Sequence, residues 1–304
     1  MPASAAEYAE TNVSLTTTGT LAGTLAMPAK PDTAVLLIAG SGPTNRDGNS
    51  TIPGVQPNTL KLLAQELAAR GIATLRTDKR GIGESAAAMT SEADLTVQTY
   101  VGDAKAWAAD VKRRAGVRCV WLLGHSEGVL IAELAAQDNP SICGLILISG
   151  GGRTLGAIIR AQVEANPANP PEIRKQVSDI LASLEAGRAV ADVPPLLLSL
   201  FRPSVQPYLI SEVSLDPAAI LARQKIPVLI LQGDNDLQVS VADSRLLAAA
   251  RPDARLVILP GVNHMLKPAP ADRAGNFATY ADPALPLAPG IVDTIAAFIG
   301  DKNR

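Results

Sequence analysis

A serine lies at the centre of the pentapeptide Gly-His-Ser-Glu-Gly at residues 124–128, which fits the pattern G-x-S-x-G. The residues before it, 119–123, are typical of a buried strand, and those after it, 129–136, are typical of a helix. A sharp turn between a strand and a helix exposes the serine hydroxyl at the end of a sheet, with the helix N-terminus pointing at it. We therefore predict that Ser126 is a nucleophile for acyl transfer.

A serine hydroxyl attacks well only when a base removes its proton during the attack. The chain contains two histidines, His125 and His264. Because consecutive strand residues point to opposite faces, His125 cannot easily reach the neighbouring hydroxyl, and we interpret it as a packed residue of the turn. His264 lies in the loop 261–264 after the last predicted strand, where catalytic groups gather in parallel sheets. We predict His264 as the base.

A catalytic imidazole needs a carboxylate that fixes its tautomer and stabilises its charged form. The loop 233–239 follows a predicted strand and contains two candidates, Asp234 and Asp236. A third acidic residue, Asp243, falls inside the next predicted helix, and we interpret it as part of a solvated face. The residue types alone leave the choice between Asp234 and Asp236 open.

Acyl transfer also requires N–H donors for the negative charge that develops on the substrate oxygen. One donor is expected from the backbone of Glu127, the residue after the proposed nucleophile. The second is expected from the loop 39–49, whose small residues let a backbone approach a ligand closely. We predict the N–H of Ser41 for this oxyanion hole, with Gly42 as the second choice.

Three charged side chains accompany these donors. We expect Arg46 and Asp47 to hold their loop together as an ion pair rather than to contact substrate. The side chain of Glu127 is expected to pack against neighbouring polar groups while its N–H acts as a donor.

These residues must be positioned by a regular framework, and the chain predicts one. A hairpin is expected around Gly19, and near-continuous apolar strands then alternate with helices, which indicates a parallel sheet covered on both faces. The predicted strands are 12–17, 20–27, 34–39, 73–77, 119–124, 145–149, 228–232 and 255–259. The predicted helices of this framework are 59–70, 97–115, 127–137, 241–250 and 291–299.

The alternation breaks in the middle of the chain. Helical spacing covers 155–165 and 172–184, and proline pairs punctuate the segment without any strand pattern. We interpret residues 153–223 as a helical insertion over the sheet, either a lid or a plain structural subdomain, and residues 1–152 and 224–304 as the core. Four apolar residues of the insertion are candidates for lining an acyl pocket: Leu196, Leu197, Leu198 and Phe201.

The chain order of Ser126, an aspartate and His264 is that of α/β-hydrolases, and the three loops resemble this superfamily along nearly the whole chain. The resemblance implies the α/β-hydrolase fold, a mostly parallel eight-stranded sheet flanked by helices, with a helical cap insertion. It also implies that the acid is the aspartate of G-x-x-D-x-x-V, which is Asp236 here. Asp234 is then a turn-forming residue.

The runs GSGP at 40–43 and RDG at 46–48, and the segment 201–209, are similar to the serine-aminopeptidase-like branch of bacterial hydrolases, which includes EstD-type carboxylesterases. This resemblance implies a serine carboxylesterase that needs no metal and no organic cofactor. We expect a small-molecule ester as substrate, because the insertion has few aromatic residues. Thioesters, lactones and N-terminal peptide bonds fit the same machinery. One part of the hydrolase pattern is absent, since residues 39–40 are Ala-Gly where many hydrolases have His-Gly.

Two other classes of function compete with this one. Gly81, Gly83 and Ala86 satisfy G-x-G-x-x-A after a strand, as in the dinucleotide site of an oxidoreductase. The preceding strand is not the first parallel one and no long helix pattern begins at Ala86, so we interpret the segment as the D-x-R-G-x-G-x-S turn of α/β-hydrolases. A non-catalytic hydrolase-like binding protein usually lacks a triad member, and none is missing here.

Composition limits the partners and the compartment. The chain has 304 residues, 47% of them hydrophobic, and a formal net charge of −2. This charge does not suit a phosphate backbone, so we expect no nucleic-acid partner. No apolar run reaches membrane-spanning length and residues 1–10 lack a signal-peptide pattern, so we expect no membrane partner and a cytoplasmic protein, with a periplasmic or secreted one as the alternative. The sequence leaves the oligomeric state open, a homo-oligomer included.

The two cysteines, Cys119 and Cys143, lie near the starts of predicted strands that would be neighbours in this fold. Two cysteines are too few for a structural zinc cluster or a disulfide framework. We expect two buried reduced thiols, and a disulfide between them is the alternative.

Overall fold

The computed structural model describes residues 6–301, and the chain is built around one eight-stranded sheet. The strands are β1 Tyr8–Thr16, β2 Thr20–Pro28, β3 Ala34–Ile38, β4 Ala73–Thr77, β5 Val120–His125, β6 Ile142–Ile148, β7 Val228–Gly233 and β8 Arg255–Leu259. Their order across the sheet is β1-β2-β4-β3-β5-β6-β7-β8. The hairpin strands β1 and β2 are antiparallel to their neighbours, and β3 to β8 pair in parallel. The predicted mostly parallel eight-stranded sheet is confirmed. The interpretation of residues 1–10 falls partly outside the described residues.

Eleven α-helices are assigned within residues 6–301. They are α1 Thr59–Ala68, α2 Val97–Ala115, α3 Glu127–Ala136, α4 Leu155–Ala165, α5 Pro171–Glu185, α6 Leu198–Phe201, α7 Gln206–Glu212, α8 Pro217–Leu221, α9 Val241–Ala250, α10 Arg273–Ala278 and α11 Ile291–Gly300. The sequence did not predict α10, because its six residues are too few to show a helical period. Its start is nevertheless a typical cap, since the Asp272 side chain accepts a hydrogen bond from the Gly275 N–H.

Alternating side chains of the central strands face two separate apolar layers. In β3, Leu36 belongs to the layer that includes Trp107 of α2 and residues of α3, α8 and α9. Its neighbour Leu37 belongs to the opposite layer, with Leu63 of α1 and residues of α11. Because both faces are covered, these strands are mainly apolar, and every residue of β5 and β7 is buried.

Two strands start earlier than predicted, β1 at Tyr8 rather than at residue 12 and β6 at Ile142 rather than at residue 145. The start of β6 at Ile142 was missed because Gly144 interrupts the apolar run in the sequence. A Cβ at this glycine would lie 2.2 Å from the Trp121 ring of β5, where the register between the two strands shifts. The glycine that weakens the sequence pattern is the residue that lets the two strands pack.

Between β6 and β7 the regular elements are the helices α4 to α8 and two short 3₁₀ turns, Pro195–Leu197 and Pro203–Val205. These elements enclose an apolar cluster of their own, which includes Val177, Leu181 and Phe201. The assignment of residues 153–223 as a cap that covers the site stays a prediction.

The two cysteines form a disulfide, with their Cα atoms 5.3 Å apart. The expectation of two reduced thiols was therefore wrong, and the alternative holds. Cys119 directly precedes β5 and Cys143 lies near the start of β6, and the pairing of these strands brings the two side chains together. The bond closes a loop between residues 24 positions apart at the amino ends of the parallel strands.

Within residues 6–301, no helix is both long enough and apolar enough to cross a membrane.

Candidate active site

Ser126 lies at the turn between β5 and α3, with φ 56° and ψ −123°. A positive φ is rare for a residue other than glycine and is found where the surrounding structure imposes it. Two flanking contacts impose it here: the Ser126 N–H donates to the Ile148 carbonyl of β6 at 2.9 Å, and its carbonyl accepts from the Val129 N–H at 3.0 Å. The turn places the serine at the carboxyl edge of the sheet, as predicted from the sequence.

The two glycines of the pentapeptide are required by close backbone contacts. A Cβ at Gly124 would lie 2.2 Å from the Gly128 carbonyl oxygen, and a Cβ at Gly128 would lie 2.3 Å from the Ile38 carbonyl oxygen of β3. The turn can therefore pass this close to β3 only without side chains at both positions.

His264 and Asp236 are in direct contact. The His264 Nδ1 atom lies 2.7 Å from Asp236 Oδ2, and their side chains are 3% and 0% exposed. Asp236 follows the end of β7, and His264 follows the end of β8, so the adjacent strands bring the two loops together. The structure thus pairs the predicted acid with the predicted base.

Backbone and side-chain donors hold Asp236. Its Oδ1 atom accepts from the N–H groups of Gln238 at 2.8 Å and Val239 at 2.9 Å, and its Oδ2 atom accepts from Gln232 Nε2 at 3.1 Å. Burial opposes ionisation, but the His264 ring and the N–H donors outweigh it, so the pKa of Asp236 lies below its usual value. The carboxylate therefore stays ionised beside the imidazole. The role of Gln232 was missed, because a lone glutamine at a strand end carries no sequence signal.

Asp234 has a different role. Its side chain accepts a hydrogen bond from the Gly261 N–H at 2.7 Å and so links the two loops that follow β7 and β8. This position agrees with its interpretation as a turn residue.

Asp243 is not on a solvated face, and that expectation was wrong. Its side chain is fully buried, pairs with Arg153 at 2.8 Å and accepts from Ser240 at the start of α9. The helix pattern could not reveal the arginine, which lies 90 residues earlier in the chain.

His125 is buried, as expected for a packed residue. Its Nε2 atom lies 2.8 Å from the His264 carbonyl oxygen, and the two ring centroids are 4.9 Å apart. Burial and the neighbouring His264 lower its pKa to about 4, so His125 is neutral at neutral pH. It supports the backbone of the His264 loop.

Ser126 and His264 line one cavity of about 540 Å³ at the carboxyl edge of the sheet. The predicted oxyanion-hole residues Ser41 and Gly42 line it as well. Its other apolar and aromatic lining includes Val55, Leu60, Leu237, Met265, Phe277 and Tyr280.

The acyl-pocket candidates of the insertion were wrong for this cavity. Among the described residues, none of Leu196, Leu197, Leu198 and Phe201 lines it. Phe201 is 0% exposed inside the apolar cluster of the insertion, and Leu196 is 71% exposed at the surface. Phe277 and Tyr280 were missed as lining residues, since they belong to a segment without a clear period.

The loop after β3 passes directly beside the nucleophile. A Cβ at Gly40 would lie 3.0 Å from the Ser126 Cβ atom. Gly42 has φ 71°, a conformation that suits glycine. Glu127, at the first position of α3, directs its side chain away to an ion pair with Lys79 at 2.8 Å. The expectation that Glu127 packs against polar groups agrees with this pair.

Arg46 and Asp47 each hold the loop through a partner of their own. Arg46 pairs with Asp78 at 2.6 Å, and Asp47 pairs with Arg76 at 2.8 Å. The expected ion pair between Arg46 and Asp47 was wrong, although their role in fixing the loop agrees with the prediction. Both partners lie on or just after β4, next to β3 in the sheet.

The glycine-rich segment after β4 forms a turn around a carboxylate. A Cβ at Gly83 would lie 2.5 Å from Asp78 Oδ2, and a 3₁₀ turn at Gly83–Ala88 follows instead of a long helix. This geometry agrees with the interpretation as a structural turn. Among residues 6–301, no group of three or more histidine, cysteine or acidic side chains is arranged to hold a metal ion.

Known proteins resemble this chain in sequence and in fold. Residues 58–182 match the family model described as serine aminopeptidase S33. Among solved structures, Est1E from Butyrivibrio proteoclasticus matches with a TM-score of 0.58 and 20% identity, covering 98% of this chain and 100% of that one. The alpha/beta hydrolase GrgF from Penicillium sp. sh18 matches with a TM-score of 0.59 and 18% identity, over 84% and 91% of the two chains. This chain has the α/β-hydrolase fold.

The resemblance found in the sequence is thereby confirmed, since the matched segment of this chain runs from the start of α1 through the serine turn into α5. A relative in sequence is the esterase EstD from Thermotoga maritima, 28% identical over 253 residues. That alignment covers 81% of this chain but only 58% of EstD, so this chain spans little more than half the length of this relative.

Proposed function

We propose that this α/β-hydrolase is a serine carboxylesterase that cleaves small carboxylic esters through an acyl-enzyme intermediate. One observation carries the proposal. Ser126, held at a positive φ, lines the same cavity as His264, whose Nδ1 atom is bound to the buried carboxylate of Asp236. EstD, a relative in sequence, and a structural neighbour from Pyrococcus furiosus are both named esterases, which supports the same class of reaction.

In this mechanism Ser126 Oγ attacks the ester carbonyl carbon while His264 Nε2 takes its proton. Asp236 keeps the imidazole in the required tautomer and stabilises its charged form. The N–H groups of Ser41 and Glu127 bind the oxyanion. His264 then protonates the leaving alkoxide as its bond to the acyl carbon breaks. A water molecule next gives a proton to His264 while its oxygen attacks the acyl carbon. The bond from that carbon to Ser126 Oγ then breaks, Oγ takes the proton back from His264, and the carboxylic acid is released. The mechanism requires no metal and no organic cofactor.

The cavity suits a small ester with an apolar group. Its volume of about 540 Å³ lies in the range of small-molecule sites, and Leu60, Met265 and Phe277 give it an apolar wall. The solved structures include Est1E with ferulic acid bound, and the aromatic side chains of Phe277 and Tyr280 make aryl esters a further class to test in this chain.

The deciding experiment is hydrolysis of p-nitrophenyl esters from acetyl to dodecanoyl by the wild-type protein and by Ser126→Ala. We expect turnover that is lost in the variant, and a chain-length optimum that reports the size of the cavity. Ser149→Ala is a matched control. Ser149 also follows a central strand with a positive φ of 53° and is buried, but it does not line the cavity. It should keep turnover.

A fluorophosphonate probe separates the alternatives. Labelling that depends on Ser126, without turnover of any ester, would indicate a serine hydrolase whose substrate is a thioester, a lactone or an N-terminal peptide bond. A folded protein with neither labelling nor turnover would exclude the serine hydrolase and leave a binding role.

A further inference from the structure

One buried cation contacts both segments that supply the proposed oxyanion donors. The Lys79 Nζ atom donates to the Gly40 carbonyl oxygen at 2.7 Å and to Glu127 Oε2 at 2.8 Å. The side chains of Lys79 and Glu127 are only 11% and 7% exposed. Lys79 lies two residues after the end of β4, and it reaches this position because β4 pairs with β3, which leads into Gly40.

The contact with Gly40 determines where the Ser41 N–H points. The Gly40 carbonyl and the Ser41 N–H belong to one amide, which is planar and, like every peptide bond in residues 6–301, not cis. An ammonium bound to the carbonyl oxygen therefore fixes the direction of the N–H, which points the opposite way within the same plane. A cation at that oxygen also polarises the amide and makes the N–H a stronger donor.

The contact with Glu127 removes an electrostatic conflict. Glu127 follows the proposed nucleophile directly, so its carboxylate would oppose the negative charge of an oxyanion formed there. The Lys79 ammonium neutralises this carboxylate and fixes the side chain of the residue whose N–H is the second proposed donor.

The surroundings keep the ammonium charged and paired with one carboxylate. The titratable groups that face it are Glu127, Tyr100 and Glu212. Burial and the nearby Glu127 raise the pKa of Glu212 well above its usual value. Burial opposes the charge of Lys79, but Glu127 outweighs it and the pKa of Lys79 is raised. The Tyr100 ring centroid lies 4.8 Å from Nζ, within the range of a cation–π contact.

We propose that Lys79 is a positioning residue for the oxyanion hole, acting on the Ser41 N–H through the Gly40 carbonyl and on Glu127 through its carboxylate. This inference rests on the proposed function, because it concerns the same ester hydrolysis at Ser126.

The first test compares Lys79→Met and Lys79→Arg with the wild type on one p-nitrophenyl ester. Loss of a single oxyanion donor costs about 10²–10³-fold in kcat, and we expect a fall of about this size for Lys79→Met with KM little changed. Affinity for a trifluoromethyl ketone, which forms the tetrahedral adduct, should fall in parallel with kcat/KM. Lys79→Arg should recover part of both.

The second test adds Glu127→Gln to Lys79→Met. The double variant should be faster than Lys79→Met, because it no longer leaves an unpaired carboxylate beside the oxyanion. Arg80→Met is the matched control. Arg80 lies next to Lys79 in the same turn, and the substitution breaks its buried ion pair with Asp103, which measures 2.7 Å. It should lower Tm and leave kcat near the wild-type value.

Three results would overturn the proposal: a folded Lys79→Met with wild-type kcat, a double variant slower than Lys79→Met, or an equal loss of kcat in Arg80→Met. If Lys79→Met does not fold, the double variant decides, and wild-type kcat and ketone affinity in it would overturn the proposal. In each of these cases the wild type still shows Ser126-dependent turnover. Failure of the proposed function is distinct, since the wild type and Ser126→Ala would then be equally inactive.

Discussion

The hydrogen bond between His264 and Asp236 distinguishes two acidic residues that lie only two positions apart in the chain. Both occur in the loop after β7, and their residue type is the same. The Asp236 carboxylate turns inward, because Gln238 and Val239 present their N–H groups to it, whereas Asp234 turns to Gly261 in the neighbouring loop. Local backbone geometry therefore decides which carboxylate meets the imidazole.

This difference predicts unequal effects of two matched substitutions. Asp236→Asn should lower kcat by about 10³–10⁴-fold, because the amide favours the wrong imidazole tautomer and cannot stabilise the imidazolium. Asp234→Asn keeps an acceptor for the Gly261 N–H, so its kcat should stay close to the wild-type value. Ester turnover and Tm of both variants check the prediction. Equal losses of kcat in two folded variants would show that Asp236 has no special role.

Among the helices, α3 directly follows the proposed nucleophile and contains an unusual buried carboxyl group. Glu133 is 0% exposed, and neither of its side-chain oxygens has a hydrogen-bond partner among the described residues. Burial, followed by the charge of Asp216, raises the pKa of Glu133 well above its usual value. The folded protein therefore holds a proton on Glu133 at a pH at which the unfolded chain has released it.

The sign of the resulting pH dependence follows from this difference in bound protons. Stability from Glu133 is fully present below its unfolded pKa and is lost as the pH rises from there towards the folded value. Glu133→Gln should remove this loss, so its advantage in free energy of unfolding over the wild type should grow between about pH 5 and pH 8. Glu133→Met should be more stable still, by roughly 1–3 kcal/mol for a removed unsatisfied polar group.

Urea denaturation of the two Glu133 variants and the wild type across this pH range checks the prediction. Parallel stability curves for the wild type and Glu133→Gln would show that Glu133 does not titrate differently on folding.

At the scale of the whole molecule, the disulfide ties the amino ends of β5 and β6 while the proposed site lies beyond their carboxyl ends. Disulfides persist in oxidising compartments and are rare in cytosolic proteins. The bond therefore favours the periplasmic or secreted alternative over the cytoplasmic expectation, as a proposal.

Removal of the disulfide should affect stability and leave catalysis intact. Closing a loop between residues 24 positions apart restricts the unfolded chain, which is worth about 3 kcal/mol. The double variant Cys119→Ala/Cys143→Ala should lose about this much free energy of unfolding in urea and keep the wild-type kcat. Thiol titration of the denatured wild type should find free thiols only after reduction. Free thiols before reduction, with equal stability of the two proteins, would contradict the prediction.

The sheet, its flanking helices and the three loops that carry Ser126, Asp236 and His264 could be predicted from the amino-acid sequence. Apolar runs and helical periods are local properties, and the parallel order of strands brings their carboxyl ends to one edge. The bounds of β4, α2, α4, α9 and β8 were predicted to the residue for the same reason. Chain order and residue type were enough to propose the chemistry.

The partners of the charged residues and of the cysteines became visible only in the folded chain. The Lys79 contacts, the separate partners of Arg46 and Asp47, the burial of Asp243 and the disulfide all join segments that are distant in sequence. The cavity wall from Phe277 and Tyr280 was likewise decided by packing. A pairwise contact between distant residues depends on how strands and loops are placed in space, and no local period of the chain encodes it.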